Sequence, residues 1–129
     1  MLMRYDPKKH HRQSTRLKGY DYTKVGAYYV TLVAQDRECL FGEIRNGEMH
    51  LSPVGQMVVR TWWEISQQYA RVRTEAFVLM PNHLQGFLIL LPDESENPLS
   101  LGDFIQRLKT LTTRRYIEGV YTQGWQPFD

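Results

Sequence analysis

The sequence predicts an α+β domain, an antiparallel sheet with two helices on one of its faces. Three observations predict it. Ala27 to Ala34 and Ala76 to Leu91 are rich in the β-branched and aromatic residues that suit a pleated surface. Two longer stretches instead repeat apolar residues at three- and four-residue intervals, and each opens on a serine able to cap a helix. Finally, Asn46-Gly47 and Pro81-Asn82 join neighbouring strand-like runs by connections too short for anything but antiparallel pairing.

A chain of 129 residues makes one domain with a real but modest core. We divide it into a basic arm over 1–24, the sheet and helices over 27–118, and a tail over 119–129. The 42% hydrophobic and 23% charged residues argue against wholesale disorder. No apolar run reaches membrane-spanning length, and the N-terminus lacks the apolar stretch of a secretory signal. No membrane association and a cytoplasmic address are therefore expected. A single cysteine, Cys39, has no disulfide partner and no zinc spacing, so it reads as a reduced, structural or half-buried thiol.

Along the chain, the arm comes first. Residues 1–24 hold seven basic and two acidic side chains, a local +5 that leaves the remainder at −3. Such an arm suits a phosphate backbone, and equally suits a solvated terminus. After Gly26 comes the first strand. Leu40 to Ser52 forms an exposed hairpin about Asn46-Gly47, a pair that tolerates positive φ. Ser52-Pro53 starts a helix whose stripe is Val54, Met57, Val58, Trp62, Ile65 and Tyr69; Trp62 falls within it and Trp63 at its edge. Arg71 to Met80 is the next strand, continuously apolar from Ala76, which predicts cover on both faces. Its neighbour begins at His83. The acidic linker Pro92 to Pro98 follows, and Ser100 with Asp103 sets a capping box for a second helix. That helix buries Leu101, Phe104, Ile105, Leu108 and Leu111 and leaves Arg107, Lys109, Arg114 and Arg115 on basic outer faces. Past Gly119 no further element is expected. Strand, hairpin, helix, strand, strand, helix is a ferredoxin-like β-α-β-β-α-β unit with its last strand missing.

One feature of this pattern needs chemistry to explain it. Side chains two apart on a strand share a face, so His83 and Gln85 point the same way from the start of an otherwise apolar strand. An imidazole nitrogen and an amide oxygen can both bind Mg²⁺ or Mn²⁺, although a hydrogen-bonded structural histidine fits the same pattern.

Several segments in order carry a family resemblance: Tyr5-Asp6-Pro7 with His10-His11-Arg12, Arg16-Leu17-Lys18-Gly19-Tyr20-Asp21-Tyr22, Gly26-Ala27-Tyr28-Tyr29-Val30-Thr31, Cys39-Leu40-Phe41-Gly42-Glu43, and Val78-Leu79-Met80-Pro81-Asn82-His83-Leu84-Gln85-Gly86. Together they resemble the REP-associated tyrosine transposases, which belong to the HUH class of single-strand DNA transposases. The resemblance implies binding of single-stranded or hairpin DNA. It also implies metal-dependent strand cleavage and joining through a phosphotyrosine, the two motif histidines holding a divalent cation. His83 matches the first of these. Gln85 stands where the second is expected, and some replication initiators of the class have glutamine there, so a weakened Mg²⁺ or Mn²⁺ site of His83 and Gln85 is expected.

The resemblance further implies a final strand and a nucleophile-bearing helix, and Asp129 precedes both. Tyr116 and Tyr121 suit that role poorly, so as written the chain is expected not to form the covalent intermediate. DNA contacts are expected from Lys8, Lys9, Arg12, Arg16 and Lys18 of the arm, from Arg107 and Lys109 of the second helix, and from Tyr5, Tyr20 or Tyr22 stacking on unpaired bases. Solvated faces explain the helix cations as well. The open readings are therefore an impaired transposase, a non-catalytic DNA-binding module and a decayed remnant. A sheet edge left unpaired also predicts a homodimer.

Overall fold

The computed structural model describes Leu2 and residues 25–127. Its elements follow the expected order: β1 (Gly26–Val33), β2 (Gly42–Arg45), β3 (Glu48–Leu51), α1 (Pro53–Gln68), β4 (Val72–Met80), β5 (His83–Leu90) and α2 (Leu101–Gln123). The principal sheet has the order β1-β5-β4, antiparallel throughout, with α1 as the crossover between β1 and β4. β2 and β3 pair separately. This is the ferredoxin-like α+β arrangement that the element order predicts.

Local chemistry explains most boundaries. Asn46 and Gly47 have φ of 51° and 77°, the two positive angles of a primed hairpin turn. Ser52 Oγ accepts the Gly55 amide at 3.0 Å and Pro53 occupies the first helical position. In α2 the Ser100 hydroxyl accepts the Asp103 amide at 3.0 Å while the Asp103 carboxylate accepts the Ser100 amide at 3.2 Å, which completes the capping box.

Both helices cover one sheet face. Leu84, Leu88 and Leu90 of β5 point into that core with Trp62, Ile65, Phe104 and Leu108. Trp62 is fully buried, stacked on Phe77 at 4.7 Å and met edge-on by Phe104 at 5.4 Å. Trp63 is 43% exposed, as its place at the edge of the stripe predicts. Across the helix layer Arg115 clasps α1: its guanidinium pairs with Glu64 at 2.6 Å and donates to Thr61 Oγ1 at 2.8 Å.

The structure corrects several expectations. β4 is not covered on both faces; it is an edge strand with a bulge between Thr74 and Ala76, and Val78 is 50% exposed. An apolar run alone does not say which layers exist to cover it. The tail expected from Gly119 is helical as far as Gln123, capped by Gly124 in the left-handed conformation, and Trp125 folds back onto Tyr116. Glycine inside a helix costs stability without forbidding it, and here the missing side chain admits the Trp125 ring. The buried stripe of α2 continues through Thr112 and Tyr116, whereas Leu111 is half-buried. Arg115 is tied to α1 and does not form part of a free basic face. Cys39 is exposed. No helix among the described residues is long and apolar enough to cross a membrane.

Candidate cation and nucleic-acid site

The sheet face away from the helices carries Ala27, Tyr29, Thr31 and Val33 of β1, His83, Gln85, Phe87 and Ile89 of β5, and Ala76, Val78 and Met80 of β4. Burial along β5 alternates strictly, with Leu84, Gly86, Leu88 and Leu90 buried and the intervening side chains half-open. His83 and Gln85 therefore do share the open face. They lie on the central strand, opposite Val33 and Thr31 on one side and Met80 and Val78 on the other.

Each of the two has a hydrogen-bond partner. Tyr29, 66% exposed, donates its hydroxyl to Gln85 Oε1 at 3.0 Å. His83 Nδ1 lies 2.8 Å from Asn82 Oδ1, and Asn82 Nδ2 donates to the Arg37 carbonyl at 3.4 Å. The turn that bears Asn82 is anchored at two further points: the Ala34 amide donates to the Asn82 carbonyl at 2.8 Å and the Phe41 amide to the Pro81 carbonyl at 2.9 Å. Between these anchors the chain makes a short 3₁₀ turn, Gln35–Arg37, in which Asp36 and Arg37 both have φ of 55°. Two successive non-glycine residues in the left-handed region are strained, and such strain concentrates where the surroundings over-determine the backbone.

With Nδ1 engaged by Asn82, Nε2 is the ring nitrogen left to meet a ligand, and Gln85 Oε1 retains a second acceptor position beside the Tyr29 bond. These atoms suit two positions of a hard cation's oxygen-and-nitrogen shell. Among the described residues no group of three or more His, Cys, Asp and Glu could hold a metal. The remaining positions would fall to water or phosphate oxygens, as in sites where Mg²⁺ keeps much of its hydration.

Of the other expected contacts, those on the second helix do not lie on this face. Lys8, Lys9, Arg12, Arg16 and Lys18 lie outside the described residues, as do Tyr5, Tyr20 and Tyr22. Leu2 is bridged to Ala34 and is 5% exposed, which sets Leu2 beside the His83 end of β1. Arg107 is on the helix layer, where it lines a groove of about 610 Å³ with Ile65, Gln68, Thr110 and Arg114, so the sheet stands between it and His83. Lys109 is half-buried on the same helix. Tyr116 is 2% exposed and donates to the Gln126 carbonyl at 2.5 Å; burial, and then the charge of Glu38, raise its pKa above the usual tyrosine value. Tyr121 is 85% exposed near the end of α2.

Sequence reasoning missed Tyr29 and Arg37. Tyr29 reaches Gln85 only because β1 pairs with β5 in a register that places Thr31 opposite Gln85, and nothing within the β1 segment reveals that register. Arg37 acts through its carbonyl, which no side-chain pattern announces.

No protein-family model matches the chain. A curated protein of Haemophilus influenzae, described only as an uncharacterized protein, is 41% identical over 91 residues, which is 70% of this chain and 51% of that protein. The chain thus spans about half the length of the curated relative it matches.

Proposed function

We propose that this chain is the sheet-and-helix part of a transposase-like protein of the HUH class, related to the REP-associated tyrosine transposases, that binds single-stranded or hairpin DNA on the open face of its sheet. His83 and Gln85 would hold Mg²⁺ or Mn²⁺ there. The observation that carries the reading is the joint presentation of these two donors on the sheet face away from the helices, within the Met80-Pro81-Asn82-His83-Leu84-Gln85-Gly86 motif. When bound, the cation supplies Lewis-acid polarisation of a phosphodiester. The protein's own groups do the rest. Tyr29 and Phe87 offer ring surface to an unpaired base. The cations of the arm neutralise backbone phosphates.

Arg107 and Arg114 make no ion pair or hydrogen bond among the described residues, and their groove faces away from His83. They suit phosphates of a different stretch of the same DNA. The cytoplasm is the compartment in which such a protein meets its DNA, and a homodimer through the outer edge of β1 belongs to the same reading.

Strand cleavage needs a nucleophile. Tyr116 is unsuited to it because its hydroxyl is buried, engaged and hard to ionise; Tyr121 is on the helix layer, near the end of α2. On this reading the chain binds DNA, and cleavage and joining, the reaction of the family, are impaired in it.

The test is fluorescence anisotropy of a labelled single-stranded hairpin across a salt series, with and without Mn²⁺. Binding should weaken steeply with salt. Replacing Lys8, Lys9, Arg12, Arg16 and Lys18 by Gln should flatten the slope by roughly 0.7 for each phosphate that is no longer neutralised. Affinity that ignores salt and survives these changes would sink the reading. Denaturing electrophoresis of the same mixtures should show no covalent adduct. An adduct that disappears in Tyr29→Phe would make Tyr29 a nucleophile.

A further inference from the structure

The hydrogen bonds around His83 define more than its place on the sheet. A neutral imidazole carries its proton on one nitrogen only, and the other nitrogen is the one able to bind a cation. At His83 the choice is made by Asn82. Its carboxamide is oriented by its own amide nitrogen, which donates to the Arg37 carbonyl, so the atom turned toward the ring is the acceptor Oδ1. An acceptor 2.8 Å from Nδ1 requires Nδ1 to be the protonated nitrogen. The lone pair is thereby placed on Nε2.

The Arg37 carbonyl is in turn held by a strained backbone, with φ of 55° at both Asp36 and Arg37. The flanking bonds from the Ala34 amide to the Asn82 carbonyl and from the Phe41 amide to the Pro81 carbonyl fix the turn itself. Two segments distant in sequence, residues 34–41 and 81–83, thus converge on one proton.

We propose that Asn82 is a positioning residue that locks His83 in the Nδ1–H tautomer and aims Nε2 outward from the open sheet face, with the Arg37 carbonyl fixing the orientation of the Asn82 amide. The inference rests on the cation-site reading for its purpose, but its physical content, the tautomer, is separate. Partners of this kind raise the basicity of a liganding imidazole and spare the site the cost of sorting tautomers when a cation arrives.

Long-range ¹H–¹⁵N correlation spectra of the uniformly labelled protein, recorded well above the ordinary histidine pKa of about 6.5, read the tautomer directly. His83→Gln identifies the His83 resonances among the four histidines of the chain. The expected result is Nδ1–H in the unaltered protein, a shift toward Nε2–H in Asn82→Ala, and retention of Nδ1–H in Asn82→Asp, whose carboxylate still accepts the bond. A Mn²⁺ titration of the same samples should show Asn82→Ala weakened by roughly tenfold to a hundredfold and Asn82→Asp retaining affinity. An Nε2–H signal in the unaltered protein overturns the proposal, and so does a tautomer that Asn82→Ala leaves unchanged. If the tautomer behaves as stated while the unaltered protein binds no Mn²⁺, the positioning role stands and the cation reading alone falls.

Discussion

Gly86→Ala puts the central strand to the test. Gly86 lies on the helix-facing side of β5 between Val30 and Phe77, and a Cβ built there runs into Trp62 Cη2 and lies 2.9 Å from Cζ2. Real carbon contacts do not come so close, so something must move. The indole has little freedom to do so: it is fully buried between Phe77 and Phe104, and its Nε1 has no hydrogen-bond partner among the described residues, so packing alone sets its position. Overpacking of this kind costs about 1–3 kcal/mol. For a domain of this size each kcal/mol is worth roughly 4 °C in Tm, so a fall of roughly 4–12 °C is expected. Urea unfolding followed by Trp fluorescence reads the same quantity, with the midpoint lowered and the slope unchanged. Trp62→Phe shrinks the ring that the new methyl strikes. Gly86→Ala should therefore cost less in that background, with a coupling of about 0.5–3 kcal/mol. Gly86→Ala within about 0.5 kcal/mol of the unaltered protein, or fully additive with Trp62→Phe, would refute the argument that strand and helix approach too closely here for a side chain.

Three further outcomes are expected. Arg71 is 7% exposed and donates to the Leu91 carbonyl at 2.8 Å and the Leu99 carbonyl at 2.6 Å, so Arg71→Met should cost about 2–4 kcal/mol in urea unfolding by leaving both acceptors unpaired, and should open the 92–98 linker to proteolysis. At Arg37, held at φ 55°, Gly should leave stability within about 1 kcal/mol while Val should cost more, because a β-branched side chain resists the left-handed region; equal effects in thermal unfolding would remove the case for strain. Tyr116 keeps its proton in the folded protein at pH values where the unfolded chain has begun to lose it. Its stabilising contribution is therefore complete below pH 10.0 and is lost as pH rises through the higher folded-state pKa. A phenolate absorbance titration should show a late-ionising tyrosine that Tyr116→Phe removes, and an unchanged titration would contradict this.

Much of the fold was legible because its signals are local. Ser52-Pro53 and Ser100 with Asp103 act within one helical turn, Asn46-Gly47 acts within one hairpin, and the apolar spacing of each helix names the face it buries. The shared face of His83 and Gln85 was legible for the same reason, since strand geometry fixes it two residues at a time. The end of α2 was misplaced because Gly119 resembles a stop. A tertiary contact with Trp125 holds that turn instead.

By itself, then, the sequence determined the element types, their order and the pairing of two polar side chains on one strand face. Only the tertiary structure decided which sheet face the helices cover, that β4 is an outer strand among the described residues, that Arg107 is on the far side of the sheet from His83, and that Tyr29 and the Arg37 carbonyl reach the site. The physical reason is range. Capping, turn geometry and periodicity act across two to four residues, whereas strand register and layer order are set by which distant surfaces exclude water together, and no single segment encodes that.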